Sequence, residues 1–105
     1  MRARIRRIVE ALQPYEAESI YLFGSWARGE ADELSDVDIV IIKRTSSPFL
    51  SRLKEAGSLL PAEAGAVDLL VYTPEEFESM RREGNPFAEM IAEEATIIYG
   101  RKRKE

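Results

Sequence analysis

Apolar residues fall along the chain in two rhythms, one helical and one extended, and the switches between them divide the sequence into elements. Ile5, Ile8, Val9 and Leu12 recur at helical spacing with Arg2, Arg4, Arg6, Arg7 and Glu10 on the other side. This predicts an amphipathic first helix that stops near Pro14, its basic face turned to solvent. Ser19 to Phe23 is a β-branched and aromatic run ending at Gly24-Ser25, which reads as a buried strand entering a tight turn. After a polar stretch from Glu30 to Ser35, Val37, Ile39, Val40, Ile41 and Ile42 form a second strand. Its near-continuous apolar character predicts a central position covered on both faces.

Ser47-Pro48 offers a cap followed by proline at the first helical position. Phe49, Leu50, Leu53 and Leu60 supply a periodic face for a helix reaching about Leu59. Ala66 to Tyr72 is a third strand. Thr73-Pro74-Glu75-Glu76 is a capping box that opens a helix carrying Phe77 and Met80 and stopping before Gly84. Asn85-Pro86 repeats that logic for a shorter helix, and Ala95 to Tyr99 is a last strand closed by Gly100. Tyr21, Tyr72 and Tyr99 fall in strands and are expected in the core. Helices interleaved with strands in this order predict an α+β fold, an α/β sandwich with helices packed on one sheet. Residues 1–100 read as a single domain and 101–105 as a basic, frayed tail.

Composition narrows the chemistry more than the fold. The chain of 105 residues contains Cys 0 and His 0. Disulfides, thiol nucleophiles, histidine bases and cysteine- or histidine-ligated metals are therefore excluded, and catalysis is left to carboxylates, hydroxyls, Lys or Arg with a hard cation. A net charge of −4 disfavours non-specific nucleic-acid binding. No apolar run is long enough to span a membrane and the N-terminus lacks a signal-peptide core, so a cytoplasmic location is the expectation.

Ser35-Asp36-Val37-Asp38 brings the candidate chemistry into view. Alternation along a strand places Asp36 and Asp38 on one face about 7 Å apart, with Val40 and Ile42 continuing that face as apolar positions. Carboxylates so close are costly unless a cation neutralises them, and such oxygen clusters suit Mg²⁺ or Mn²⁺. Asp68 holds the equivalent place on the third strand and completes a triad if the two strands are neighbours. Gly24 lets the backbone approach a ligand closely, Ser25 supplies a hydroxyl, and a short helix beginning there would aim backbone N–H groups at an anion. An acidic site of this kind handles polyphosphate through cations.

Gly24-Ser25, the following Ala27-Arg28-Gly29, Ser35-Asp36-x-Asp38 and the later strand residue Asp68 resemble the minimal nucleotidyltransferases of the DNA polymerase β superfamily. That group includes antitoxin members paired with HEPN proteins. The resemblance covers nearly the whole chain in element order and implies a mixed four-stranded sheet with helices packed on it. It further implies that Asp36 and Asp38 bind two Mg²⁺ ions, with Mn²⁺ a substitute, that Asp68 binds the ion activating the acceptor, and that Gly24 and Ser25 grip the donor's phosphates. The implied reaction is attack of a hydroxyl on the α-phosphorus of a nucleoside triphosphate, ATP foremost, with pyrophosphate leaving.

Many members of that group carry a basic residue directly after Gly-Ser where this chain has Trp26. Its indole could stack on a base, meet a partner or cover the short helix. Arg28 could contact triphosphate or pair with Glu30, Asp32 or Glu33. The small chain leaves little room for a second lobe around base and acceptor, so the cleft is expected to be open and the acceptor to come from a HEPN-type partner or a second copy. Three functions follow in order. The first is AMP transfer to a hydroxyl of a partner protein, the second a non-catalytic nucleotide-binding antitoxin module, and the third transfer to an RNA end.

Overall fold

The computed structural model describes residues 2–100; the basic segment 101–105 lies outside the described residues. Eight main elements run in the predicted order. They are α1 (Ala3–Ala11), β1 (Ser19–Phe23), β2 (Val37–Ile42), α2 (Phe49–Gly57), β3 (Val67–Tyr72), α3 (Pro74–Arg82), α4 (Pro86–Glu94) and β4 (Thr96–Gly100). The strands form one mixed sheet in the order β3-β2-β1-β4. β1 pairs antiparallel with β2 and β4, whereas β2 and β3 are parallel, so the chain needs a crossover between them and α2 supplies it. Among the described residues, no helix is long and apolar enough to cross a membrane.

Alternation along the strands divides the core into two layers. Ile20, Leu22, Val37, Ile39, Ile41 and Val71 pack against Ile5 and Ile8 of α1, Leu12 just beyond its end and Ala56 of α2. Tyr21, Val40 and Ile42 pack on the opposite face against Phe77 of α3 and Ala88 and Ile91 of α4. β2 is buried throughout except at Asp38, which confirms it as an interior strand covered on both sides. Tyr21 is buried with the core, while Tyr72 and Tyr99 are half-buried and pack at its margin.

The two proline-started helices of the second half form as their sequence dictates. Thr73 Oγ1 accepts from the Glu76 amide at 3.1 Å and the Glu76 carboxylate accepts from the Thr73 amide at 2.8 Å, a reciprocal capping box. Asn85 Oδ1 accepts from the amides of Phe87 and Ala88. α2 departs from expectation. Pro48, not Ser47, occupies the cap position, and the Ser47 hydroxyl donates instead to Glu55 at 2.9 Å.

The buried stripe of α2 also differs: Leu50 is 74% exposed, and Arg52 and Ala56 turn inward. Phe49 still packs on Tyr72, with ring centroids 5.7 Å apart, so the helix is rotated about that anchor and Leu50 falls off the inward side. Arg52 reaches under the sheet edge. Its guanidinium donates to the Ser47 carbonyl at 2.8 Å, the Val71 carbonyl at 3.2 Å and both Glu76 carboxylate oxygens at 2.7 and 3.1 Å. One buried cation thereby ties α2, β3 and the start of α3 together, and beside it the Glu76 carboxyl is held below its ordinary range.

Candidate active site

The parallel register of β2 and β3 sets Asp38 directly beside Asp68. Neighbouring strands lie about 5 Å apart, so the two side chains leave the same face of the sheet at adjacent positions. They are close enough for one carboxyl to hydrogen-bond the other. Burial, the charge of Asp68, the charge of Asp36 and that hydrogen bond all push the Asp38 carboxyl above its ordinary range, and only Arg28 opposes them. Asp36 sits one residue before β2 at an exposed position, near enough for its charge to be felt at Asp38. Asp68 is exposed at the edge strand.

The turn after β1 closes the site from the other side. Phe23 pairs with Asp38 across the antiparallel ladder, and Gly24 follows with φ +73°. A Cβ at Gly24 would collide with Asp38 Oδ2. The position therefore disfavours any side chain, both by its left-handed backbone and by the carboxylate that would have to move aside. Gly24→Ala is expected to cost about 1–3 kcal/mol and to displace the Asp38 carboxylate. Thermal unfolding of the variant checks this, and a melting temperature within a degree or so of the parent would contradict it.

The short helix expected after Gly24 is a single 3-10 turn, Gly24–Trp26, so the turn contributes close backbone approach and the Ser25 hydroxyl more than any helix dipole. Trp26 is buried and packs with the core around α1; its indole N–H donates to the Ser35 carbonyl at 3.3 Å. The tryptophan in the place of a basic residue thus covers the turn and presents no stacking face to a ligand. Arg28 lies at the rim, paired with Glu30 at 2.8 Å and exposed, with its field still reaching Asp38. A cavity of about 190 Å³ between Phe23, Gly24, Ala27, Arg28, Met90 and Glu94 adjoins this turn. A wider groove of about 720 Å³ runs from Phe23 and Asp68 along the edge of β3 to Leu53 and Leu60 of the α2 region.

Of the residues singled out in the sequence, Gly24, Asp38 and Asp68 converge at one point, with Asp36 and Arg28 around them. Among the described residues, no three acidic side chains stand close enough to enclose an ion unaided. The expected triad of Asp36, Asp38 and Asp68 is thus not drawn into a closed cage, and an ion there would need further oxygens from water or a phosphate. The donor chemistry suits such a cation: carboxylate oxygens that repel one another, Asp38 half-buried beside the Gly24 turn and Asp36 and Asp68 exposed around it.

Arg4, expected on the solvated basic face of α1, instead turns toward the site. The side chain is half-buried and its guanidinium donates to the carbonyls of Glu33, Ser35, Ala64 and Ala66, in the two loops that lead into β2 and β3. Its spacing held a signal, since Arg4 lies one turn ahead of the fully buried Ile8 on the inward side of α1.

A Gly-Ser turn packed against in-register carboxylates at one end of a small mixed sheet is the arrangement expected of a domain that handles polyphosphates through cations. Residues 2–99 match the sequence profile described as nucleotidyltransferase domain, and the chain belongs to that family. Two solved structures share its fold. One, a candidate nucleotidyltransferase from Sulfolobus solfataricus, is 21% identical with a TM-score of 0.62, and the match covers 95% of this chain and 81% of that one. The other is a chain of a toxin-antitoxin structure with AMP-PNP, 22% identical with a TM-score of 0.67, covering 93% of this chain and 74% of that one. Comparison with proteins of curated function returns no significant match.

Proposed function

We propose that the protein is a metal-dependent nucleotidyltransferase that moves AMP from ATP onto a hydroxyl of a partner protein, a helical protein of the HEPN type. The observation that carries this reading is the in-register pair Asp38 and Asp68 with the Gly24 turn pressed against Asp38. Family membership supports the transfer chemistry. The toxin-antitoxin structure with AMP-PNP supports an adenine nucleotide and a protein partner.

Asp36, Asp38 and Asp68 are the residues that would hold Mg²⁺ or Mn²⁺. Bound there, the ions would supply charge neutralisation between the acidic rim and a triphosphate and would stabilise the oxygens that gain charge in an in-line displacement. The chain's own groups do the positioning. Gly24 lets the backbone lie against the phosphates, and the Ser25 hydroxyl donates to a phosphate oxygen. Arg28 exchanges Glu30 for another oxygen, which costs little because the pair it leaves is exposed. Asp68, on the open side of the sheet, faces the acceptor and takes the hydroxyl proton as the acceptor oxygen bonds to the α-phosphorus. The bond from that phosphorus to the bridging oxygen breaks, and pyrophosphate departs.

Incubation with α-labelled ATP, Mg²⁺ and the co-purified partner should place label on the partner and release pyrophosphate. The double variant Asp36→Asn with Asp38→Asn should do neither, and labelling that persists in it sinks the proposal. Undiminished partner binding without any pyrophosphate from the parent protein would favour a non-catalytic antitoxin module instead.

A further inference from the structure

We infer that Arg4 is a positioning residue for the carboxylate site, holding Asp36 in register with Asp38 and Asp68; this rests on the metal-binding reading proposed above. Its guanidinium is bracketed by backbone. Nε donates to the Ala64 carbonyl at 2.6 Å, Nη1 to Ser35 at 2.6 Å and Glu33 at 3.2 Å, and Nη2 to Ala66 at 2.9 Å. The acceptors come from two separate loops. Residues 33–35 lead directly into Asp36 and β2, and residues 64–66 lead into Asp68 near the start of β3. The Ala66 carbonyl also accepts from the Val37 amide at 3.0 Å, so the arginine sits where the two loops meet.

The surroundings are shaped for a planar cation. Trp26 lies over the guanidinium with its ring centroid 5.5 Å away, and the indole N–H donates to the same Ser35 carbonyl that Arg4 binds. Gly65 also lies against the guanidinium: it has φ +74°, and a Cβ there would fall 2.7 Å from Arg4 Nη2. Trp26, Gly65 and Arg4 thus form one device, which gives the glycine before β3 a purpose and the tryptophan that covers the turn a second one.

The device matters most for Asp36. Asp38 and Asp68 are fixed by the ladder between β2 and β3, whereas Asp36 precedes the strand and depends on the loop that Arg4 grips. Only a planar fork with five donors reaches four carbonyls at once; an ammonium at the same place keeps the charge and loses the geometry. Groups that orient metal ligands typically change ion affinity about 10–100-fold when removed.

The test titrates Mn²⁺ alone into the full chain by calorimetry, comparing parent, Arg4→Lys, Arg4→Ala and Thr73→Ala. Thr73→Ala loses a helix cap remote from the site and serves as a matched destabilisation. Arg4→Lys should bind Mn²⁺ about tenfold more weakly or worse, with faster exchange of the Val37 amide that donates to the Ala66 carbonyl beside Asp36, while Thr73→Ala binds as the parent does. Millimolar methylguanidinium should restore affinity to Arg4→Ala. The inference is overturned if Arg4→Lys stays within about twofold of the parent, or if Thr73→Ala loses as much. Should Arg4→Ala fail to fold, the Lys variant and the cap control decide between these outcomes. A parent protein that takes up no Mn²⁺ overturns the metal reading itself, and the role of Arg4 with it.

Discussion

Asp38→Asn will stop nucleotidyl transfer and leave a more stable protein. The substitution removes the carboxylate at the centre of the site, and a lost contribution of about 4 kcal/mol to charge stabilisation corresponds to roughly a thousandfold in rate. Stability moves the other way. Burial, Asp68 and Asp36 all disfavour the charged form of Asp38 in the folded chain, so a neutral amide of the same shape relieves a penalty. The expected gain is on the order of 0.5–1 kcal/mol, or about 2–6 °C in melting temperature.

The pH dependence fixes the sign. The raised carboxyl holds its proton more tightly folded than unfolded, so its penalty fades as pH falls from the raised folded value through the ordinary carboxylate range. The stability difference between Asp38→Asn and the parent should therefore be largest near neutrality and shrink in acid. Parallel unfolding and single-turnover transfer assays check both halves. An inactive variant that is also less stable would show that Asp38 supports the fold, contrary to the geometry.

Arg52→Met is expected to be the most damaging change away from the site. It leaves the Ser47 and Val71 carbonyls without their donor and strips Glu76 of its cation. Because Glu76 is 44% exposed and water can reclaim it, the loss is set at about 2–3 kcal/mol and not at the larger cost of a fully buried pair, roughly 10–20 °C in melting temperature. Glu76 is held low chiefly by Arg52, so its contribution is present above the ordinary carboxylate range and is lost as pH falls through the lowered folded value. The variant should lose that part of its acid destabilisation. Methionine matching the parent in denaturant midpoint would mean that apolar packing replaces the pair, as it does in some proteins.

What could be read from the sequence was what short-range chemistry decides. β1 and β2, the capping box at Thr73 and the Asn85 cap depend on neighbours within a few residues, and they stand as the pattern predicts. Gly24, Asp38 and Asp68 could be brought together in advance because alternation on two strands leaves few choices once those strands are neighbours. The arginines were beyond reach. Arg4 and Arg52 carry a charge that marks a surface position by default, and only the arrangement of distant carbonyls makes a half-buried or buried place favourable. Trp26 remained ambiguous until Arg4 and the Ser35 carbonyl were in place around it, and Leu50 was misplaced because Arg52 took the inward side of α2.

The placement of Arg52 has a bearing on how copies of this chain meet one another. β3 is an edge strand, and the bonds from Val37 to the Ala66 carbonyl and from Lys43 to the Tyr72 carbonyl turn its even-numbered backbone groups toward β2. The odd-numbered groups face outward, where another extended chain could pair with them and seed aggregation. Arg52 occupies the Val71 carbonyl, and at the other end the exposed Asp68 sets a negative charge beside the strand. The outward groups left over belong to Val67 and Leu69, a stretch shorter than an ordinary strand. Protection against runaway strand addition is thus divided between a structural arginine and a carboxylate of the candidate active site.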